Sequence, residues 1–474
     1  HSVWHDLIMY DSYGHADVLQ GLVKGNLFDF GRFPSFTVLV FVGLVICLLR
    51  WREERYLIPV AIFLMWLLLF FGRATWGGLI DVLPMSRDLH MRRFIAGVHL
   101  GGICLMAVAL AAPWRWALSR ASFWYGAAAL ALTLLVLVPV YSERRSYLVQ
   151  NAFWIKELQH HVALDDDLTA LFEKLKYLPP GRVYAGHHTS ASNHWSDQHW
   201  VGAFKVYYLL HAEGLDMVGK VYHGFSLNSD VLINFDERRW DHYNLYNARY
   251  VVAPEDRRFS AFVQPLQQFG RHHLYQVETT GYFDLVGSDL AFAGGRTDLY
   301  LAASTWLASG LPGVKQHPIV SIGSTSQEIE HSMPLSEAVD FIPRVEASPG
   351  PPRGTVLSEE VGSNFFAAGV RVERESWLLL KATYHPNWRA TVDGVETDTV
   401  MLMPSFVGVR LLPGNHQVQL EYRSRRLRMV LLGLGLLTLP LIVIAEKHGE
   451  GLWRRIAPRF VGPISNSAKG SVDE

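Results

Sequence analysis

Apolar runs alternate with polar stretches along this chain, and five runs approach the length of a membrane-spanning helix. They cover residues 36–49, 56–71, 94–112, 123–141 and 429–445. A helix needs about 20 apolar residues to cross the hydrocarbon of a bilayer, and backbone groups in lipid must bond within the segment. The pattern therefore predicts a multi-pass α-helical membrane protein, with four transmembrane helices in 36–141 and a fifth at 429–445.

The first 35 residues mix polar and apolar positions and contain no such run. Val18, Leu19, Leu22 and Val23 lie on one face of a short amphipathic helix that Gly25 would end. Residues 1–35 are therefore predicted to lie at the membrane interface. Because the chain starts with His1 rather than Met, we expect it to be truncated, with amino-terminal helices of the whole protein missing.

Between the fourth and fifth runs, the periodicity predicts a folded insert. The three aspartates at 165–167 suit a helix start, and the strand-like runs 183–185, 250–253 and 274–277 follow. Phe262, Leu266 and Phe269 have helical spacing. Since helices and strands alternate, residues 142–300 are predicted to form an α/β domain, joined by a connector at 301–354.

From residue 355 the pattern changes to strands and tight turns. Asp393-Gly394 is a strong hairpin signal whose turn needs positive φ angles, and residues 417–422 alternate between polar and apolar. Residues 355–423 are therefore predicted to form a β-sandwich-like module. It would stand directly above the last transmembrane helix, with 446–474 as a cytoplasmic tail.

Composition narrows the function classes. Hydrophobic residues make up 50% of the 474 residues, charged residues 18%, and the formal net charge is −1. This balance gives no reason to expect a nucleic-acid partner. Cys47 and Cys104 are the two cysteines and both lie in apolar runs, so the insert has no disulfide bond.

The stretch 72–93, between the second and third runs, contains arginine but no lysine. Arginine forks bind phosphate oxygens bidentately, and an ionisable side chain within a span often faces a functional cavity. The alternatives are an interfacial helix whose arginines reach lipid headgroups, and a histidine that bonds a neighbouring helix. The predicted substrate-binding residues are Arg92, Arg93, Arg87, His90 and His99. Gly97 and Gly101 flank the last of these at the spacing that lets helices approach closely.

A histidine-rich stretch in the insert is a candidate metal site. Its members are His187, His188, His194 and His199. Imidazole suits zinc, so a divalent metal is the one cofactor that the sequence suggests. The spacing is not that of a helical zinc motif. The alternative is a polar cleft lined by these histidines with Trp195 and Trp200, whose aromatic faces would suit sugar rings.

The predicted β-module also carries a family pattern. Residues 384–394 read Tyr-His-Pro-Asn-Trp-Arg-Ala-Thr-Val-Asp-Gly, and residues 412–416 read Leu-Pro-Gly-Asn-His. This resembles the carboxy-terminal domain of YfhO-like bacterial membrane proteins, which look like GT-C glycosyltransferases. The stretches 71–94 and 246–252 resemble further parts of the same family.

The resemblance implies a membrane glycosyltransferase that transfers sugar from a polyprenyl-phosphate donor to an extracytoplasmic cell-envelope glycan or lipid. It implies the bacterial cytoplasmic membrane, with the large insert outside. The basic residues of the loops are almost equally divided between the two sides, so they barely favour this orientation. Membrane lipids would contact the basic residues on the outer face. A non-catalytic glycan-binding or scaffold protein of envelope assembly is the alternative, so enzyme activity stays open.

Such enzymes use an acidic residue in an outer loop near the amino terminus, where it takes the proton of the acceptor. If the chain is truncated, that residue lies in the missing part, and the catalytic residue is then unknown. The candidates that the chain itself offers are Asp11, Asp6 and Asp88.

Overall fold

The structure is a computed structural model that describes residues 13–30, 32–83, 91–120, 122–186, 195–219, 226–322, 332–423 and 427–456. Helices come first along the chain. They are α1 (His15–Val23), α2 (Ser35–Leu49), α3 (Glu54–Phe70), α4 (Gly72–Trp76), α5 (Ile95–Leu118) and α6 (Phe123–Glu157). A π-helical turn, Leu158–Val162, extends α6.

Glycines bring the first helices into backbone contact. A Cβ atom on Gly101 of α5 would lie 2.5 Å from the Cα atom of Phe63 in α3. A Cβ atom on Gly43 of α2 would collide with the backbone of Leu105 in α5. The close helix approach predicted at Gly101 is therefore confirmed, and α5 packs between α2 and α3.

The predicted fold class, a multi-pass α-helical membrane protein, is wrong. Among the described residues, two helices are long and apolar enough to cross a membrane, Met91–Leu118 and Phe123–Val162. A third counts only if Glu54–Phe70 and Gly72–Val82, which are bent by 82° to each other, form one broken span. The described part of the chain beyond α6 is rich in β-strands, which form four sheets.

The physical reason is that a span needs an unbroken helix as well as an apolar composition. Helix α2 has 15 residues, which at 1.5 Å per residue reach about 22 Å, less than the roughly 30 Å of hydrocarbon. The chain bends at Phe71, immediately after α3. In the described part of α13, the apolar stretch Met429–Ile444 is also shorter than a full span. Hydropathy reports the composition of these runs but not where each helix breaks.

The remaining elements begin with a capped helix, since the Asp165 carboxylate accepts from the Leu168 N–H at 2.9 Å. They are α7 (Asp166–Tyr177), β1 (Val183–Tyr184), β2 (Trp200–Val201), β3 (Phe204–Lys205), α8 (Val206–Ala212), β4 (Met217–Val218), α9 (Leu227–Val231), α10 (Trp240–Leu245), β5 (Tyr250–Pro254), β6 (Val263–Phe269), β7 (His272–Val277), β8 (Phe283–Val286), β9 (Ala291–Gly294) and α11 (Arg296–Ala308).

The chain continues mainly as strands. They are β10 (Ile319–Ile322), β11 (Met333–Pro334), α12 (Ala338–Phe341), β12 (Gly354–Val361), β13 (Phe365–Val372), β14 (Ser376–Thr383), β15 (Trp388–Val392), β16 (Val395–Thr397), β17 (Val400–Leu402), β18 (Phe406–Leu411), β19 (Gly414–Tyr422) and α13 (Leu427–Ile456).

Three larger sheets organise these strands, in the orders β4-β1-β5-β7-β6, β11-β9-β10-β17-β18-β14-β8 and β12-β13-β19-β15-β16, while β2 and β3 pair separately. Buried residues of the second and third sheets share one apolar core, as Leu380 and Val409 do with Val370 and Trp388. The second sheet draws strands from both sides of residue 354, where we predicted a domain boundary.

Two local predictions had opposite outcomes. The helix predicted from Phe262, Leu266 and Phe269 is wrong, because Val263–Phe269 is the edge strand β6. The hairpin at Asp393-Gly394 is confirmed, since it joins β15 to β16 and both residues have positive φ angles, of 52° and 84°.

Candidate functional site

An open cleft lies at the end of the first sheet, where strands β1 and β5 finish. Strand β1 lies between β4 and β5 and pairs in parallel with both. The cleft, of about 820 Å³, is lined by Tyr184 at the end of β1 and by residues 257–260, which follow β5. The carboxyl ends of parallel strands are the usual place for ligands in such sheets, because the connecting loops leave the sheet there.

An ion pair forms one side of this cleft. Arg257 pairs with the Glu237 carboxylate through Oε1, and the indole Nε1 of Trp195 donates to Oε2 at 2.9 Å. The Arg257 guanidinium lies 5.9 Å from the centre of the Trp195 ring and 5.5 Å from that of Phe259. These bonds and cation–π contacts fix the carboxylate and the guanidinium in one orientation.

Aromatic rings form the wall beside the pair. The rings of Tyr184 and Phe235 are 4.8 Å apart, and those of Trp195 and Phe259 are 5.9 Å apart in an edge arrangement. Burial raises the pKa of the Tyr184 phenol well above its usual value, so this group stays neutral. Because Tyr184 and Phe235 are buried, the half-buried Phe259 ring is the main aromatic surface that the cleft offers beside its fixed charged groups. That combination suits a ligand with apolar faces and hydroxyl rims.

The predicted substrate-binding arginines that the structure describes lie in the helical part of the protein. Arg92 and Arg93 are exposed in the 3₁₀ turn Met91–Phe94, which leads into α5, and both make further interactions within the protein. Arg87, His90, Asp88, Asp6 and Asp11 lie outside the described residues.

His99 is engaged inside the helical part. Its Nε2 atom lies 2.8 Å from the carbonyl oxygen of Leu27, and its ring centre is 5.5 Å from that of Phe28. This contact is of the kind expected from the alternative interpretation, in which His99 bonds a neighbouring helix. A substrate contact by His99 stays a prediction.

The histidine-rich stretch is described only in part. His187, His188 and His194 lie outside the described residues, and His199 is buried with its Nε2 atom 2.9 Å from Nδ1 of His272. Burial, together with His272 and Arg271, lowers the pKa of His199 to about 3. Within the described ranges, no three His, Cys, Asp or Glu side chains are placed to hold a metal ion. Metal binding by the full stretch stays a prediction.

Trp195, which sequence reasoning placed with Trp200 in the wall of a polar cleft, is buried and is not one of the residues that line this cleft. Sequence reasoning did not locate the cleft itself. It did not find Glu237 and Arg257, which are 20 positions apart and meet only because β5 brings its following loop to this edge. No local signal pairs them.

The residues of the family pattern have structural roles in the third sheet. The Trp388 ring is buried, and its Nε1 atom donates to the Thr383 carbonyl at 3.1 Å. The Asp393 carboxylate lies 2.7 Å from Nδ1 of His416 and accepts from the Gln417 N–H at 2.8 Å. The two halves of the pattern thus hold the β15–β16 turn against the start of β19.

Residues 358–432 match the family model described as Bacterial membrane protein YfhO. This match runs from β12 into α13 and confirms the resemblance seen in the sequence. No curated protein and no solved structure matches the chain. Together with the two long apolar helices, the match identifies a membrane protein. The match does not assign glycosyltransferase activity to this chain.

Proposed function

We propose that this membrane protein binds a cell-envelope glycan in the cleft beside Glu237 and Arg257. The observation that carries the proposal is the ion pair held against the rings of Trp195 and Phe259. The half-buried Phe259 ring would cover the apolar face of a sugar ring, while the carboxylate and guanidinium edges would bond its hydroxyl groups. The cleft would then face the extracytoplasmic side of the bacterial cytoplasmic membrane.

Glycosyl transfer from a polyprenyl-phosphate donor is the catalytic form of this proposal. Helices α5 and α6 are joined by a short turn, so the start of α5 lies on the side where α6 leads into the insert. Their exposure and this position support the proposal that the guanidinium groups of Arg92 and Arg93 bind a lipid phosphate. The sugar would pass to an extracytoplasmic glycan or lipid bound in the cleft.

Binding without transfer is the second candidate, and the state of Glu237 favours it. Each carboxylate oxygen already accepts a bond, one from Arg257 and one from Trp195. A carboxylate held in this way acts as a recognition group more readily than as a proton acceptor. The protein would then present or scaffold glycan during envelope assembly.

The test measures the affinity of envelope oligosaccharides for the purified full chain in detergent. Glu237→Gln keeps the side-chain shape but removes the charge, and we expect binding to weaken roughly tenfold or more, as for a lost hydrogen bond to a charged group. Glu375→Gln is the matched control, because Glu375 pairs with Arg410 at an exposed position. Unchanged affinity in both Glu237→Gln and Arg257→Gln would contradict the proposal.

A second assay separates the two forms. The chain is incubated with a short-chain polyprenyl-phosphate sugar and an acceptor oligosaccharide. Product that disappears in the Arg92→Ala and Arg93→Ala double variant, while oligosaccharide affinity persists, supports transfer. Affinity without product in any condition supports the binding protein.

A further inference from the structure

A second cavity lies at the turn that joins the two long apolar helices, where the end of α5 meets the start of α6. Its volume is about 410 Å³. Trp114 and Leu118 line it from α5, and Phe123 and Leu130 line it from α6. The walls are therefore mainly apolar.

Arg120 is the one charged residue among the described residues that line this cavity. Its guanidinium lies 5.4 Å from the centre of the Trp116 ring and 6.0 Å from that of Tyr125. Within the described ranges it makes no ion pair. A cation that is held by two aromatic rings and has no carboxylate beside it attracts an anionic group.

The position of the cavity decides which molecules can reach it. Its walls belong to Met91–Leu118 and Phe123–Val162, the two helices that are apolar and long enough to cross a membrane. A cavity that opens between such helices opens into the bilayer. With both helices crossing a bilayer, the turn that carries Arg120 would be at headgroup depth, where the exposed Trp116 and Trp124 also suit the interface.

We propose that this cavity binds an acidic phospholipid, with an acyl chain between α5 and α6 and the phosphate on Arg120. The apolar walls fit the chain, and the guanidinium matches the charge and the bidentate geometry of the phosphate. The site lies in the leaflet away from the cleft, and it is independent of the proposed glycan binding.

Gly126 gives the site a direct steric test. It lines the cavity, and a Cβ atom added to it would have no other atom within 4 Å. Gly126→Leu therefore places a side chain in space that the acyl chain would use, and its Cβ atom meets no protein atom among the described residues. Arg120→Gln removes the charge and leaves the cavity open.

The experiment measures the dissociation constants of short-chain phosphatidylglycerol and phosphatidylcholine by native mass spectrometry of the full chain in detergent. Unmodified protein should prefer phosphatidylglycerol. Arg120→Gln should remove the preference and weaken phosphatidylglycerol binding roughly fivefold, as expected for one arginine at a membrane surface. Gly126→Leu should weaken both lipids. Arg410→Gln, which removes the same charge from β18, should change neither.

Three outcomes would overturn the proposal. One is an unchanged phosphatidylglycerol preference in Arg120→Gln, and another is unchanged lipid binding in Gly126→Leu. The third comes from inorganic phosphate. If it binds as tightly as the lipid and loses affinity equally in Arg120→Gln, the arginine contacts a free anion and the cavity holds no chain.

Discussion

The helical part and the β-rich part of this protein are stabilised in different ways. In the helical part, glycines let backbones touch, and the outer faces stay apolar and exposed. Only 6% of the most apolar stretch of Phe123–Val162 is buried inside the protein. In the β-rich part, apolar side chains fill closed cores, and even charged groups are buried. The first part therefore needs lipid around it, whereas the second supplies its own interior.

The clearest buried charges are in the second sheet. Lys381 of β14 is fully buried, and its Nζ atom lies 2.9 Å from the carboxylate of Asp284 in β8. Lys315 reaches the same carboxylate at 2.6 Å. Burial raises the pKa of Asp284, but the two lysines outweigh this and hold it below its usual value. Burial also lowers the pKa of Lys381, against the pull of Asp284.

The largest effect is therefore expected at Asp284. Asp284→Asn leaves the ammonium of Lys381 buried without its counter-charge, which typically costs about 3–5 kcal/mol in the free energy of unfolding. The control is Glu375→Gln, whose exposed pair with Arg410 should contribute at most about 1 kcal/mol. Urea unfolding of the detergent-solubilised protein, followed by tryptophan fluorescence, measures both. Equal losses in the two variants would contradict this difference between buried and exposed pairs.

A smaller effect should mark the helical part. Gly101→Leu forces a side chain toward the backbone of α3 at Phe63, and overpacking of this kind costs about 1–3 kcal/mol. Gly433→Leu in α13 is the matched control, because a Cβ atom there meets nothing within 4 Å. Thermal unfolding in detergent should show a lower midpoint for Gly101→Leu alone. If both variants unfold like the parent chain, α3 and α5 do not pack through their backbones.

The smallest effect should come from the family pattern itself. The hydrogen bond that His416 donates to Asp393 raises the pKa of His416, and the bonds that Asp393 accepts from Gln417 and His416 lower the pKa of Asp393. Asp393, whose pKa is lowered in the folded state, contributes stability above its unfolded pKa. His416, whose pKa is raised in the folded state, contributes stability below its unfolded pKa. The pair is thus fully effective between about pH 4 and pH 6.5.

His416→Gln should accordingly lower the unfolding midpoint at pH 5.5. The difference from the parent chain should shrink by pH 9, after the pH has risen through the folded pKa of His416. Because the pair is partly exposed, the shift should be small. A difference that is independent of pH would show that the histidine acts through packing and not through charge.

How far the sequence predicts the fold depends on whether a feature is local. The turn at Asp393-Gly394 is local, because its positive φ angles follow from the residue types, and it was predicted correctly. Edge strand β6 is not local. Phe262, Leu266 and Phe269 have helical spacing, but Pro265 cannot donate a helical bond and pairing with β7 determines the structure.

The same distinction holds for the candidate site and for the membrane spans. Trp195 was predicted to line a cleft but is buried behind Glu237, and the contact between Glu237 and Arg257 depends on sheet order. The apolar runs were found as well, but among the described residues the bend after α3, the short α2 and the short apolar stretch of α13 leave two or three candidate spans where five were predicted. Such breaks depend on how the helices pack, and a hydropathy pattern does not record packing.

We propose that the helices hold the protein in the bacterial cytoplasmic membrane while the β-rich part presents its cleft outside. Sidedness tests it most directly, in a background where Cys47 and Cys104 are replaced by alanine. A membrane-impermeant maleimide should label Arg238→Cys at the cleft in intact spheroplasts, and Ser119→Cys in the α5–α6 turn only after lysis. Labelling of Ser119→Cys in intact spheroplasts, with Arg238→Cys protected until lysis, would contradict the account.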